Sequence, residues 1–333
     1  LYETQSLGFK RAFMSVPMTE EKLQDAIALS VEPSEINLNG KFDYSQMLLT
    51  AVKGNGEKYD ASRDFAFKLD SEIIKVSKSG MVSPIKDGEA KLEIYHKNQK
   101  TTVTVRVAGS ASDFEPDYVR DVMPVLSKLG CNAGTCHGSK DGRNGFKLSL
   151  RGYDPIYDIR AFTDDLASRR VNIASPDNSL ILLKASASVP HEGGQLTKLG
   201  EDYYEILKSW IANGAKLEIN SPRVTGIDLY PQNPVVQKIG DKQQMRVIAT
   251  YANGKKRDVT AESFIETGNS DIATTNKGGL VTTARRGEAP MLARFEGAYA
   301  STIVTVMGNR SGFEWKEMPY NNKVDEFVAS KLK

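Results

Sequence analysis

The chain has 333 residues, a formal net charge of +2, and ordinary fractions of hydrophobic (40%) and charged (26%) residues. This length predicts two or three domains. The small charge argues against nucleic acid or an anionic membrane surface as a partner. No apolar run approaches the roughly 18 residues of a transmembrane helix, so we expect no membrane span.

A sequence repeat links the two halves of the chain. Residues 71–90 match residues 270–289 without gaps and at one constant offset. Residues 102–107 alternate polar and apolar side chains, which is typical of a half-buried strand. Short strands with Asn-Gly hairpin signals predict two β-sandwiches, over residues 30–110 and 222–308.

Both copies resemble the bacterial immunoglobulin-like domains of the invasin and intimin type. The resemblance rests on a Pro-x-x-hydrophobic motif near the start and on Gly-x-Val followed by Gly-x-Ala, at Gly80 to Ala90 and at Gly279 to Ala289. It covers about half of the chain. It implies spacer or adhesion modules on an exported protein, with possible protein or carbohydrate contacts through the β-domains.

The segment between the copies, residues 112–220, has helical patterns instead. An amphipathic run ends at Gly130, and two further helices are predicted over residues 179–185 and 201–213. We therefore expect a multidomain α plus all-β fold, with a small helical domain between two immunoglobulin-like sandwiches. Residues 1–29 form an N-terminal segment, and residues 309–333 are expected to be a linker and the start of a further domain.

The most informative motif is Cys131-Asn-Ala-Gly-Thr-Cys136-His137, which contains both cysteines of the chain. The usual attachment motif for c-type haem is C-x-x-C-H. In that motif the thiols add to the haem vinyl groups and the histidine is the proximal iron ligand. Two extra residues leave Cys136 and His137 adjacent. The motif predicts one covalent haem c, held by Cys131 and Cys136, with His137 as proximal ligand.

The distal iron ligand is expected in the loop before the last helix. That loop contains His191, between Pro190 and two glycines that let the backbone pass close to a ligand. Met123 lies on the first helix, where it is expected to pack in the core. We predict bis-histidine ligation by His137 and His191, and a surface position for His96.

Three other interpretations of the motif stay open. Cys131 and Cys136 form a disulfide in a structural or adhesion protein. Alternatively, both cysteines bind zinc together with His137 and His191. In the third, the protein is a haem enzyme or gas sensor with an open sixth position.

Residues 112–217 also resemble the planctomycete-type cytochrome c domain. The resemblance implies electron transfer by a c-type haem in an exported protein of the periplasm or cell surface, with an unknown redox partner. A six-coordinate iron leaves no open position for substrate, so we expect a redox carrier rather than an enzyme. The matching motifs are Val122-Met-Pro-Val-Leu126, Cys131 to Gly138, Phe146 to Gly152, Ser179 to Leu182, Pro190 to Gly194 and Trp210 to Ala215.

Overall fold

The computed structural model describes residues 26–165, 168–310 and 312–333. Along the chain, one β-rich part precedes the central segment, residues 112–220, and a second β-rich part follows it. The N-terminal segment expected over residues 1–29 therefore falls mostly outside the described residues, and its end belongs to the first strand.

The first β-rich part has three sheets around one apolar core. Its strands are β1 (Ala26–Glu32), β2 (Glu35–Asn39), β3 (Ser45–Gln46), β4 (Leu48–Lys53), β5 (Lys58–Asp60), β6 (Ala66–Leu69), β7 (Ile74–Val76), β8 (Met81–Pro84), β9 (Gly88–His96) and β10 (Gln99–Ala108). The sheet orders are β1-β4-β5, β2-β10-β9-β6 and β3-β8-β7. The predicted alternation in β10 is confirmed, because Val103, Val105 and Val107 are buried in the core.

Within residues 112–165 and 168–220 the central segment has four α-helices, α1 (Met123–Lys128), α2 (Pro155–Thr163), α3 (Leu180–Ala185) and α4 (Asp202–Ala212), and a π-helical turn at Tyr118–Val122 leads into α1. Three of them agree with the helical runs in the sequence. The fourth, α2, is not among the predicted helices, although its start carries a recognisable signal. The side chain of Asp154 accepts the Tyr157 N–H (3.0 Å), and Pro155 occupies the first turn.

The expected fold class, with a small helical cytochrome c-like domain between the sandwiches, is wrong. The described residues are mostly β-sheet, with six sheets and only 17% helix. The central helices have only six to eleven residues. Residues 129–149 between α1 and α2 form neither helix nor sheet. This stretch is rich in glycine, asparagine and serine, which favour turns over helices.

The second β-rich part repeats the first strand by strand. Its strands are β11 (Val224–Tyr230), β12 (Val235–Val236), β13 (Lys242–Gln244), β14 (Arg246–Tyr251), β15 (Lys256–Asp258), β16 (Phe264–Thr267), β17 (Ala273–Thr275), β18 (Leu280–Thr283), β19 (Gly287–Phe295) and β20 (Ala298–Val306). The sheet orders β11-β14-β15, β12-β20-β19-β16 and β13-β18-β17 are those of the first part. A short helix, α5 (Lys323–Leu332), ends the chain.

A reciprocal pair of hydrogen bonds joins the two β-rich parts. The backbone N–H of Gln46 donates to Oδ2 of Asp258 (2.8 Å), and the backbone N–H of the equivalent Gln244 donates to Oδ2 of Asp60 (2.5 Å). Each glutamine amide also donates to two backbone carbonyls of its own part. The pattern is that of a two-fold dimer interface, formed here by two repeats of one chain.

The central segment is fixed to both parts by Glu262, which lies between β15 and β16. Its carboxylate accepts hydrogen bonds from Tyr44 of the first part (2.5 Å) and from Tyr203 of α4 (3.2 Å). Nearby, Arg257 of the second part forms an ion pair with Asp121 of the central segment (2.9 Å). These polar contacts join all three parts into one continuous structure.

Replacing Asp258 is expected to destabilise the interface. Asp258 also forms an ion pair with the buried Arg246 (2.8 Å), so Asp258→Ala leaves that guanidinium without its carboxylate. We expect the free energy of unfolding to fall by about 3 kcal/mol in chemical denaturation. The control Asp228→Ala removes an exposed carboxylate and should change it little. Equal effects of the two substitutions would contradict this role.

Stability should also depend on pH through Glu296, whose carboxylate oxygens are buried without a hydrogen-bond partner. Burial raises its pKa from 4.5 to about 7. The folded state therefore binds more protons between these values, and stability falls as the pH rises through that window. Glu296→Gln should remove this loss and stabilise the protein at pH 8 by on the order of 1 kcal/mol. Thermal denaturation at several pH values, with the exposed Glu266→Gln as control, tests this. An unchanged pH dependence in Glu296→Gln would refute it.

Candidate functional site

The loop from Cys131 to His137 closes on itself through backbone hydrogen bonds. The His137 N–H donates to the Cys131 carbonyl (3.0 Å), and the Cys136 N–H donates to the Ala133 carbonyl (2.9 Å). The next residue, Gly138, packs directly on this loop. A Cβ atom at Gly138 would lie 2.1 Å from the backbone oxygen of Asn132. Only glycine fits there, so the sequence after the motif is part of the loop's geometry.

The four residues predicted to hold the haem line one cavity. Cys131, Cys136, His137 and His191 surround a space of about 600 Å³ in the central segment. His191 comes from the loop between α3 and α4, far from the cysteines in sequence. The remaining wall is largely apolar, with Leu126, Leu129, Phe146, Leu148, Phe162, Leu180, Ile181 and Leu196.

The two histidines are held in the same way. Nδ1 of His137 lies 3.0 Å from the carbonyl oxygen of Phe146, and Nδ1 of His191 lies 3.0 Å from that of Gly194. A carbonyl can only accept, which assigns the proton of each neutral ring to Nδ1. Burial lowers the pKa of His137 and favours its neutral form. In its neutral form each ring therefore presents an unprotonated Nε2, and within the described ranges neither Nε2 has a hydrogen-bond partner.

Neither the disulfide nor the zinc interpretation agrees with the arrangement of the cysteines. Cys131 and Cys136 are both free thiols. Burial raises the pKa of the Cys131 thiol to about 12, which keeps it protonated at neutral pH. Among the residues that the structure describes, no three His, Cys, Asp or Glu side chains come close enough together to hold a metal ion.

Two further side chains, Phe146 and Arg170, hold the cavity wall beside His137. The ring of Phe146 packs beside the imidazole of His137, with ring centroids 4.6 Å apart. The buried Arg170 lies over the other part of this wall, 4.5 Å from the Phe146 centroid, and donates to the carbonyls of Ala161 (2.6 Å) and Gly145 (2.7 Å). Nothing in the sequence distinguishes Arg170 from its neighbour Arg169.

The predicted surface position of His96 is wrong. Its side chain is completely buried, because the alternation of β9 turns it inward together with Leu92 and Ile94. Nε2 contacts the Tyr59 hydroxyl at 2.8 Å, and Nδ1 contacts the Asp64 carbonyl. Both ring nitrogens are therefore satisfied, and His96 is a core residue.

One part of the chain matches a known protein family. Residues 223–293 match the family model of the bacterial Ig-like domain (group 2). This agrees with the resemblance seen in the second repeat. No curated protein sequence gives a significant match. No helix in the described parts of the chain is long and apolar enough to cross a membrane.

Solved structures with similarity to the chain include multidomain surface proteins. Domains 5–6 of the S-layer protein SbsC match at 10% identity and a TM-score of 0.33, covering 84% of this chain and 96% of that one. SbsC domains 4–9 match at 11% identity and a TM-score of 0.33, covering 86% and 32%. Drosophila OTK extracellular domains 3–5 match at 6% identity and a TM-score of 0.18, covering 84% and 62%.

The predicted function, electron transfer by a bis-histidine c-type haem, is contradicted. The family match is to an immunoglobulin-like domain, and the described chain is mostly β-sheet without a small helical cytochrome domain. A cytochrome domain and an electron-transfer role are therefore not supported as descriptions of this protein, and the comparisons with known proteins support neither haem nor iron. The cause of the error is that the motif fixes only three residues, which specify local chemistry and not the fold or role of a 333-residue chain. A structural or adhesion role, the alternative to electron transfer, fits better, although without the disulfide, since both cysteines are free thiols.

Replacing Gly138 should disturb the cavity loop selectively. Gly138→Ala places a methyl group against the Asn132 backbone and should lower the free energy of unfolding by about 2 kcal/mol. At Gly134 a Cβ would meet only the Leu150 side chain, at an ordinary 3.6 Å, so Gly134→Ala is the matched control. Chemical denaturation measures both. A tolerated Gly138→Ala would show that the loop is not packed as described.

Proposed function

We propose that the chain is a rigid structural module of an extracellular or surface protein. The reciprocal hydrogen bonds of Gln46 with Asp258 and of Gln244 with Asp60 carry this proposal. Burying a charged group is costly unless the group is paired. Domains joined by flexible linkers would therefore not need buried polar contacts between them. Here such contacts fix the angle between two immunoglobulin-like parts, as a spacer or scaffold requires.

The family match supports the same conclusion. The bacterial immunoglobulin-like domain at residues 223–293 indicates an extracellular or surface protein. We propose the cell surface or the periplasm as its location, and protein or carbohydrate partners for its β-domains. Protease treatment of intact producing cells separates the two locations, because only a surface protein is cleaved before the cells are broken.

Small-angle scattering of the full chain tests the rigidity. We expect the scattering of one compact particle whose dimensions agree with the described arrangement. The radius of gyration of the double variant Asp60→Asn, Asp258→Asn should increase, because both reciprocal hydrogen bonds lose their charged acceptor. Asp228→Asn, which changes an exposed carboxylate, should leave the curve unchanged. Wild-type scattering that requires independently moving parts would refute the rigid module.

A separate proposal concerns the cofactor. We propose that the 600 Å³ cavity binds one covalent haem c through Cys131 and Cys136, with His137 as proximal and His191 as distal ligand. Two thiols and two imidazoles on a largely apolar cavity are a fitting donor set. When bound, haem c supplies an iron that accepts two imidazole nitrogens. No redox role is attached to this proposal.

The residues around the cavity would prepare it for this group. The carbonyls of Phe146 and Gly194 keep Nδ1 of each histidine protonated, so that Nε2 is the available ligand atom. Phe146, Leu148 and Phe162 exclude water from the same wall. A group bound to all four site residues would connect the cysteine loop to the His191 loop and so stiffen the central segment.

A pyridine haemochrome assay on denatured protein tests the attachment. The protein is produced in cells with c-type haem maturation, and we expect one haem per chain to remain after denaturation. Cys131→Ser with Cys136→Ser should abolish this retention, whereas Ser139→Ala, near the motif, should not. Haem-free wild-type protein would refute the cofactor proposal and leave the rigid module untouched.

A further inference from the structure

A second cavity lies between the central segment and the second β-rich part. It has a volume of about 640 Å³ and is separate from the cysteine loop's cavity. Its walls include Arg151, Arg223 and Arg294, with Tyr153 and Tyr299. We call it the arginine cleft. Neither the family match nor the proposed function assigns a role to it.

The backbone around Arg151 is held in an unusual conformation. Arg151 has a positive φ of 58°, which non-glycine residues rarely adopt and which is frequent at functional sites. Its N–H donates to the Asn132 carbonyl (3.0 Å). The following Gly152 has no room for a side chain, because a Cβ would lie 2.5 Å from Met123. The turn is thus fixed against the core, and it places Arg151 on the cleft wall.

The cleft carries positive charge without matching ion pairs. Within the described parts of the chain, no carboxylate forms a salt bridge with Arg151, Arg223 or Arg294. The guanidinium of Arg294 instead lies over the Phe264 ring, 4.5 Å from its centroid. Burial, and next the charge of Arg151, lowers the pKa of Arg294, so the two arginines repel each other. Such a pair becomes favourable when an anion binds between or beside them.

The carboxylates at the cleft do not neutralise it. The carboxylate of Glu262 already accepts hydrogen bonds from the hydroxyls of Tyr44 and Tyr203. Glu296 has a pKa of about 7 because of burial, so near neutral pH it is only partly charged. The charge of the exposed Glu266 also acts on Arg294, but within the described residues no ion pair joins the two side chains. The three arginines therefore remain the majority of the charged groups that a ligand would meet.

Exposed aromatic rings accompany the arginines. Tyr153 is 90% exposed and Tyr299 is 57% exposed, although large aromatic side chains usually bury more of their surface. Exposed apolar surface beside charged groups marks binding sites. Flat aromatic rings accept the C–H faces of sugar rings, and arginine forms paired hydrogen bonds with carboxylates. Acidic peptides would use the arginines but would not need the tyrosines.

We propose that the arginine cleft binds an acidic polysaccharide. Uronate carboxylates pair with Arg151 and Arg294, and sugar rings stack on Tyr153 and Tyr299. This deepens the proposed surface role by naming a ligand class, and it rests on that role only for the protein's location. The binding site is independent of the cysteine loop's cavity and of its cofactor.

Binding of the full chain to polygalacturonate, measured by isothermal titration calorimetry, tests the proposal. We expect binding that weakens as salt rises and no binding to neutral dextran. Arg151→Asn with Arg294→Gln should weaken binding by at least about tenfold. Asparagine tolerates the left-handed conformation at position 151. The control Arg285→Asn removes an exposed charge elsewhere on the second part and should have little effect.

The tyrosines distinguish a polysaccharide from a peptide. Tyr153→Ala should weaken polygalacturonate binding without unfolding the protein, since its side chain is almost fully exposed. Tyr157→Ala, outside the cleft, is the matched control. Poly-glutamate binding as tight as that of polygalacturonate and unaffected by Tyr153→Ala would overturn the proposal in favour of an acidic peptide. If neither polygalacturonate nor poly-glutamate binds, the proposed anion site is refuted. The rigid module is tested separately, by the small-angle scattering of the wild-type chain.

Discussion

The arrangement of the whole chain depends on two carboxylates that cross between repeats. Asp60 and Asp258 each accept a backbone N–H from the opposite β-rich part, at Gln244 and Gln46. A carboxylate away from water is stable only where donors surround it, so these bonds have few alternative geometries. Because the repeats are similar, satisfying one carboxylate places the other correctly. The contact therefore fixes the relative orientation of the repeats, and with it the space left for the central segment.

In that space, two different cavities border one short stretch of the central segment, residues 148–151. Leu148 borders the apolar cavity, and its N–H donates to the carbonyl of His137 (2.8 Å). Three residues later Arg151 borders the arginine cleft, with its N–H on the Asn132 carbonyl. Both cavities are thus supported by the same loop of cysteines and glycines. Irregular backbone is suited to this, since it can approach several neighbours that a helix would hold apart.

Local sequence signals were reliable for local structure and unreliable for the fold class. The strand alternation of β10 and the helical runs of α1, α3 and α4 were predicted from spacing alone. The α2 helix was missed despite its Asp154-Pro155 start. His96 was misplaced because its charged neighbours outweighed the alternation that turns it inward. The helical cytochrome domain was wrong because a three-residue motif specifies local chemistry and not the fold of the chain around it.

The sequence by itself determined the repeat, the period-two strands and the chemical nature of the cysteine and histidine side chains, because these depend on residue type and on spacing along the chain. The tertiary structure alone decided that His191 shares a cavity with Cys131, Cys136 and His137. It also decided that the repeats face each other through Asp60 and Asp258, and that arginines from two parts of the chain converge on one cleft. These facts join residues far apart in sequence, and only the packing of the folded chain brings such residues together.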